Sequence, residues 1–240
     1  MSKKIAVFQH LAVEHPGVFR DFLRDDDIEW QAFELDEGEA VPELSDFDAL
    51  WVLGGPMDVW QERQHPWLVA EKAAIKHAVS DLELPFLGIC LGHQLFAESL
   101  GGEVAPGEHA EVGLGRVSLT APGRTHDIFS DFDAEISCLQ WHSAEVSKVP
   151  AELEVLASSS RCRVQALARR AHQVSIQFHI EVTAHTVAEW GAIPAYKKSL
   201  EESLGEDGLA VFAAQTEQNL ERFNRDAKTF YANWKQLANF

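Results

Sequence analysis

Pro85-Phe86-Leu87-Gly88-Ile89-Cys90-Leu91-Gly92-His93-Gln94-Leu95 reads as the end of a buried strand, a sharp turn and the start of a helix. The apolar run stops at Gly88, Cys90 follows, and Gly92 stands just beyond it. From Leu91 to Leu100 the spacing is helical, and Gly101-Gly102 closes the segment. In this context a glycine–nucleophile–glycine pattern has mechanical meaning, because glycine leaves room for a strained turn that a β-carbon would block. The turn projects its central side chain. The free N–H groups of the helix behind it favour negative charge, which lowers the pKa of a cysteine. Cys90 is therefore a candidate nucleophile. Taken alone, the pattern fits a small buried cysteine in a strand-to-helix join equally well.

Around this stretch the first half of the chain alternates two kinds of pattern. Ile5 to Gln9, Trp30 to Leu35, Ala49 to Leu53 and Phe86 to Ile89 read as short buried strands. Gly17 to Arg24, Trp67 to Ser80 and Leu91 to Leu100 have helical spacing. Apolar strands separated by helices predict a mostly parallel sheet covered on both faces. From about Glu103 the texture changes to short, partly alternating runs at Val112–Thr120, Ile136–Trp141, Val155–Ser158, Val164–Ala168 and Val174–Phe178. These predict an antiparallel extension or a second sheet layer. The tail from Ile193 to Phe240 is helical in pattern, with a break at Gly205-Glu206-Asp207-Gly208. Its apolar stripe predicts a helix packed on the main domain.

Composition narrows the function. With 38 acidic and 20 basic residues the formal charge is -18, which disfavours nucleic acid and anionic membrane surfaces as partners. No apolar run approaches the roughly 18 residues of a membrane span. The opening Met1-Ser2-Lys3-Lys4 runs straight into Ile5 to Phe8, without the apolar core of a signal peptide. Three scattered cysteines, Cys90, Cys138 and Cys162, suit a reducing compartment better than a disulfide framework. A cytoplasmic location is the resulting expectation. Cys138 and Cys162 are expected to be inert. No histidine outside the motifs shows metal-ligand spacing, so His10, His15, His65 and the others read as packing or solvated residues.

A cysteine nucleophile needs a base, and the base needs an orienting group. Gln177-Phe178-His179-Ile180-Glu181 closes a strand-like run. Extended backbone directs His179 and Glu181 to one side, where the carboxylate can hold the imidazole. Gly54-Gly55-Pro56 follows another apolar strand. Its backbone N–H groups, with that of Leu91, could form an oxyanion hole, although a tight turn fits the same residues.

Together, Gly54-Gly55-Pro56-Met57, the Cys90 stretch and Gln177–Glu181 resemble the class I glutamine amidotransferases in motif order and spacing. The nearest likeness is to stand-alone members similar to the glutaminase domain of GMP synthase. The resemblance covers Ile5 to Trp190. It implies Cys90 as nucleophile, His179 as proton shuttle, Glu181 as its orienting group, and the N–H groups of Gly55 and Leu91 as oxyanion donors. It also implies contacts to the substrate from Gly54 and Gln94. Gln140-Trp141-His142-Ser143-Ala144-Glu145 resembles the loop that holds the amino-acid end of glutamine, which brings in Trp141, His142 and Ser143. Two departures stand out. Ile180 occupies a position where the family usually has proline, a change expected to loosen the angle that points Glu181 at His179. Trp141 and Ser143 differ from the residues common in GMP synthases.

The expected fold is α/β: a doubly wound, mostly parallel sheet with flanking antiparallel strands and a helical C-terminal extension. Residues 1–192 would form the amidotransferase domain and residues 193–240 the extension packed on it. The implied activity is hydrolysis of the glutamine side-chain amide through a cysteinyl thioester, giving glutamate and ammonia. It needs neither metal nor cofactor, and a separate synthase would take the ammonia. Two alternatives stay open: a hydrolase or peptidase acting on another γ-glutamyl compound, and a non-catalytic regulatory protein on the same fold.

Overall fold

The computed structural model describes residues 3–240; Met1 and Ser2, at the start of the expected first domain and of the N-terminal reading, lie outside the described residues. Five strands build the parallel half: β1 (Lys4–Gln9), β2 (Glu29–Glu34), β3 (Ala49–Val52), β4 (Phe86–Ile89) and β9 (Gln173–Ile176). Helix α1 (Phe19–Asp25) connects β1 to β2, α2 (Trp67–Lys76) lies between β3 and β4, and α3 (Leu91–Ser99) leads from β4 into the antiparallel half. The antiparallel half consists of β5 (Glu103–Leu119), β6 (Glu135–Lys148), β7 (Glu154–Ser158) and β8 (Ala166–Arg169). All nine belong to one sheet in the order β2-β1-β3-β4-β9-β8-β7-β5-β6. The antiparallel strands thus extend the sheet; they do not form a second layer.

Both faces of the sheet are buried at β1, β3, β4 and β9, and the residue alternation of β1 shows how. Ile5 and Val7 pack with Phe19 and Leu23 of α1, whereas Ala6 and Phe8 pack with Leu68 and Ile75 of α2 and with Leu95 and Phe96 of α3. Successive side chains of a strand point to opposite faces, so a strand covered on both sides must be apolar throughout. The four residues of β3 and of β4 are all buried.

Three helices follow the sheet: α4 (Thr186–Gly191), α5 (Pro194–Leu204) and α6 (Gly208–Leu237). The short α4 has no counterpart in the sequence reading. The end of α6 joins α1 in covering the first face, where Trp234 is fully buried and meets the Trp51 ring edge-on at 5.1 Å. Earlier in the same helix, Phe212 and Phe223 pack with Leu139 and Trp141 of β6, Trp190 of α4 and Tyr196 of α5.

The hairpin of β5 and β6 is longer than the sequence pattern suggests. Residues Gln140 to Glu145, expected as a loop, lie inside β6, with His142 opposite Glu111 and Ala144 opposite Pro106. Pro106 and Gly107 argue against a strand on local grounds, and the ladder accommodates them with a register shift between Pro106 and Glu111.

Trp234 supplies a direct test of how far α6 belongs to the core. Trp234→Ala should cost about 3–5 kcal/mol of stability in urea unfolding. Val211→Ala, at an exposed position of the same helix, should stay within about 0.5 kcal/mol.

Candidate active site

Cys90 sits between β4 and α3 with φ 53° and ψ -104°, a conformation that side chains rarely adopt. Two glycines make the turn possible by close approach. A β-carbon on Gly92 would lie 2.0 Å from the Val52 carbonyl oxygen, and one on Gly88 would lie 2.6 Å from the Gly92 oxygen. The turn is tied to its neighbours on both sides. The Cys90 N–H donates to the Ile176 carbonyl at 2.9 Å, and the Gly92 N–H donates to the Leu53 carbonyl at 3.1 Å.

The end of β9 carries the chain past Cys90. His179 pairs with Leu139 in an isolated antiparallel bridge, which fixes its backbone beside β6. Its Nδ1 lies 2.6 Å from Glu181 Oε1, and its ring stands near enough to Cys90 for the two side chains to interact electrostatically. Trp190 meets the imidazole edge-on at 4.7 Å. Burial opposes a charge on this ring. The Glu181 carboxylate and the Cys90 side chain outweigh that effect, and His179 titrates well above its ordinary value.

Ile180 does not loosen this arrangement. Its backbone N–H donates to Glu181 Oε2 at 3.0 Å, a bond that proline could not make. One carboxylate oxygen is thus held by the adjacent backbone while the other holds His179. The Val18 N–H donates to the Glu181 carbonyl at 2.7 Å and anchors the same residue from the loop before α1.

Cys90 opens on a cavity lined also by Gly55, Leu91, Gln94, Trp141, His142, Ser143 and Tyr196. His179 and Glu181 are outside that lining. Gly54 is also outside the lining. Its carbonyl accepts from His10 Nδ1 at 2.7 Å, and its Cα packs against the Glu14 carboxylate. Gln94 uses its amide N–H groups within the protein, donating to the Ala144 carbonyl at 3.2 Å and to Gln177 Oε1 at 3.0 Å. Trp141 places its carbonyl 4.0 Å from the Cys90 Sγ and donates its ring N–H to Ser199 Oγ at 2.9 Å. His142 Nδ1 bonds the Ala144 carbonyl at 2.9 Å, and its Nε2 lies 3.2 Å from Glu111 Oε2.

The sequence reading missed part of the wall. Asp58 lines the cavity, and Ala195, Tyr196 and Ser199 bring α5 to it. The Tyr196 hydroxyl donates to the carboxylate of Glu14, which burial pushes above the ordinary carboxylate range. Nothing local marks Tyr196 or Glu14, because their pairing joins positions 182 residues apart.

Glu111, His142 and Cys162 also bring ligand-type atoms within 4.8 Å of one another, a grouping that sequence spacing hides. Hydrogen bonds already occupy these groups. Glu111 accepts from Ser159 at 2.9 Å and Gln165 at 2.7 Å, and the Cys162 thiol donates to the Val164 carbonyl at 3.4 Å. Burial pushes the Cys162 thiol up to about 12 and the Cys138 thiol well above its usual value.

The sequence profile of the class I glutamine amidotransferases matches residues 23–189. The chain belongs to this family. It is 36% identical over 143 residues to a subunit of the glutamine-hydrolyzing GMP synthase of Saccharolobus solfataricus, covering 59% of this chain and 71% of that one. The corresponding subunit of Methanothermobacter thermautotrophicus is 43% identical over 108 residues, covering 43% of this chain and 55% of that one. Among solved structures, a glutamine amidotransferase of Methylobacillus flagellatus superposes with a TM-score of 0.88 at 29% identity, over 99% of this chain and 96% of that one. One from Thermotoga maritima shares the fold with a TM-score of 0.87 at 24% identity, over the full length of both. Among the described residues, no helix is long and apolar enough to cross a membrane.

The buried His93 of α3 should make stability pH-dependent. Burial, aided by the charge of His142, holds His93 at about 3 against an ordinary 6.5. The unfolded chain therefore binds more protons than the folded one between these values, and stability falls as pH drops through 6.5 toward 3. Going from pH 7 to pH 5 should cost about 2 kcal/mol through this one group. Urea unfolding of His93→Gln should show a correspondingly shallower dependence.

Proposed function

We propose that the protein hydrolyses the side-chain amide of glutamine, with Cys90, His179 and Glu181 as the reacting and orienting groups. The His179–Glu181 pair, set beside the strained Cys90 turn and coupled to it electrostatically, carries this reading. The thiolate of Cys90 attacks the amide carbon, and the carbonyl electrons move onto oxygen. The backbone N–H groups of Gly55 and Leu91 stabilise that oxyanion. Leu91 supplies its donor as the first residue of α3, where intrahelical partners are lacking. Collapse of the adduct breaks the carbon–nitrogen bond as His179 gives its proton to the leaving ammonia. His179 then takes a proton from water, which attacks the thioester and releases glutamate and the free cysteine. Gln94, Trp141, His142 and Ser143 would shape the substrate side of the cavity. Gly54 supports it from behind.

The matched relatives, named as subunits of glutamine-hydrolyzing GMP synthases, favour a separate synthase as the destination of the ammonia. One observation favours a second reading, hydrolysis of a larger γ-glutamyl conjugate. Helix α5 adds Ala195, Tyr196 and Ser199 to the wall, beyond the residues matched by the family profile.

The test is glutamate and ammonia release by the purified protein from glutamine and from a panel of γ-glutamyl peptides and amines. Cys90→Ala should abolish turnover, and Glu181→Gln should lower kcat on the order of 10²–10⁴-fold. Turnover that survives Cys90→Ala would overturn the mechanism. Cysteine labelling by a glutamine-like electrophile without turnover would point to a site that needs its synthase. The panel's preferred leaving group decides between the two substrates.

A further inference from the structure

Behind the cavity lies a buried pair that the mechanism above does not use. His10 and Glu71 are both 0% exposed, and the His10 ring stacks on Trp67 with centroids 5.3 Å apart. His10 Nε2 is 2.8 Å from Glu71 Oε1, and Nδ1 is 2.7 Å from the Gly54 carbonyl oxygen. A carbonyl and a carboxylate only accept, so the ring satisfies both with a proton on each nitrogen. Burial works against that charge, but the Glu71 carboxylate outweighs it, and His10 titrates above its ordinary value. An ion pair without access to water is weak as a stability device, since packed apolar residues of similar volume do as well or better. Its place in the fold suggests another use.

The Gly54 carbonyl belongs to the same peptide unit as the Gly55 N–H. That unit is trans, as are all peptide bonds among the described residues, so its C=O and N–H point in opposite directions. Gly55 lines the cavity with Cys90 and Leu91, whereas His10 does not. A carbonyl anchored on the His10 side therefore turns the N–H toward the cavity. The anchor is close-fitting: a β-carbon on Gly55 would lie 2.9 Å from Leu91 Cδ2 and 3.0 Å from His10 Cβ.

We infer that His10, braced by Glu71, is a positioning residue that aims the Gly55 N–H at the oxyanion formed on Cys90. The inference rests on the proposed hydrolysis and assigns its oxyanion hole a buried cationic support. Donation from a charged ring also polarises the Gly54–Gly55 peptide and makes its N–H a stronger donor. Neither residue touches the substrate. The effect belongs to the transition state and leaves ground-state binding alone.

Two rates measured on one protein separate this role from a structural one. The first is kcat, with KM, for the γ-glutamyl substrate. The second is alkylation of Cys90 by iodoacetamide, a substitution at saturated carbon that develops no oxyanion. His10→Phe keeps a ring against Trp67 and loses the donor. It should lower kcat by about 10²-fold, with KM within about threefold and alkylation within about twofold. His10→Asn, whose side-chain N–H can stand near the place of Nδ1, should recover about tenfold of that loss. Glu71→Gln keeps shape without charge and should lower kcat by about tenfold.

Equal falls in turnover and alkylation, a change confined to KM, or an unchanged kcat would each overturn the assignment. Should His10→Phe fail to fold, His10→Asn and Glu71→Gln carry the comparison, and unchanged kcat in both overturns it. A parent protein that is alkylated at Cys90 yet turns over no γ-glutamyl compound fails differently. That result removes the reading of a hydrolase active on its own, and this inference, which rests on turnover by the protein alone, falls with it.

Discussion

The backbone of Cys90 is the constraint on which the site depends. A residue at φ 53° outside a glycine is strained, by about 1–3 kcal/mol, and persists only where its surroundings over-determine it. Here they do. Gly92 brings the first turn of α3 against the Val52 carbonyl, and Gly88 brings β4 against that same turn. Helix and strands then cannot separate without losing the contact that holds the turn. Four buried parallel strands, β1, β3, β4 and β9, supply the rigid base against which this strain is balanced. The elbow is therefore a property of the whole sheet.

The residues around Cys90 come from separate parts of the chain, and each is held by something other than the cavity. Glu181 is fixed through both carboxylate oxygens, by His179 and by the Ile180 N–H. Gly54 is held from behind by His10. Gln94 spends its amide protons on Ala144 and Gln177. A group already satisfied by its protein neighbours needs no reorganisation when charge develops beside it, the condition under which fixed dipoles stabilise a transition state. The buried polar side chains near the site follow that pattern: they orient other groups, and few of them line the cavity.

This division explains which parts of the molecule could be read from sequence. Local patterns identified β1 to β4, the Cys90 turn and the His179–Glu181 pair, because each is a short run whose chemistry and geometry coincide. Read with the antiparallel runs, β9 instead pairs parallel with β4 and antiparallel with β8. The alternation in β1 and the glycines about Cys90 are interpretable without knowing the rest of the fold. The hairpin was less legible. Pro106 and Gly107 interrupt the strand pattern, and only pairing with β6 through a register shift keeps β5 continuous. Ile180 misled for a related reason. Its departure from the expected proline suggests a loosened turn, while its N–H makes a bond invisible in a one-dimensional pattern. His10 passed as a packing histidine because its partner Glu71 lies 61 positions away.

The C-terminal helices bring the two halves of the problem together. Trp234 of α6 is buried against Trp51 of β3, whereas Phe212 of the same helix packs against Trp141 at the cavity, with ring centroids 5.4 Å apart. Tyr196 of α5 reaches both the cavity and the buried carboxylate of Glu14. Anchoring one end of α6 in the core thus carries the position of the cavity wall at the other. The family profile ends at residue 189, before α5 begins. Cys90, His179 and Glu181 accordingly belong to the shared frame, while part of the cavity wall is built by α5 beyond it. Side chains of α5 can change without disturbing the strained turn at Cys90, because among the described residues the two are connected through packing and share no backbone hydrogen bond of the elbow.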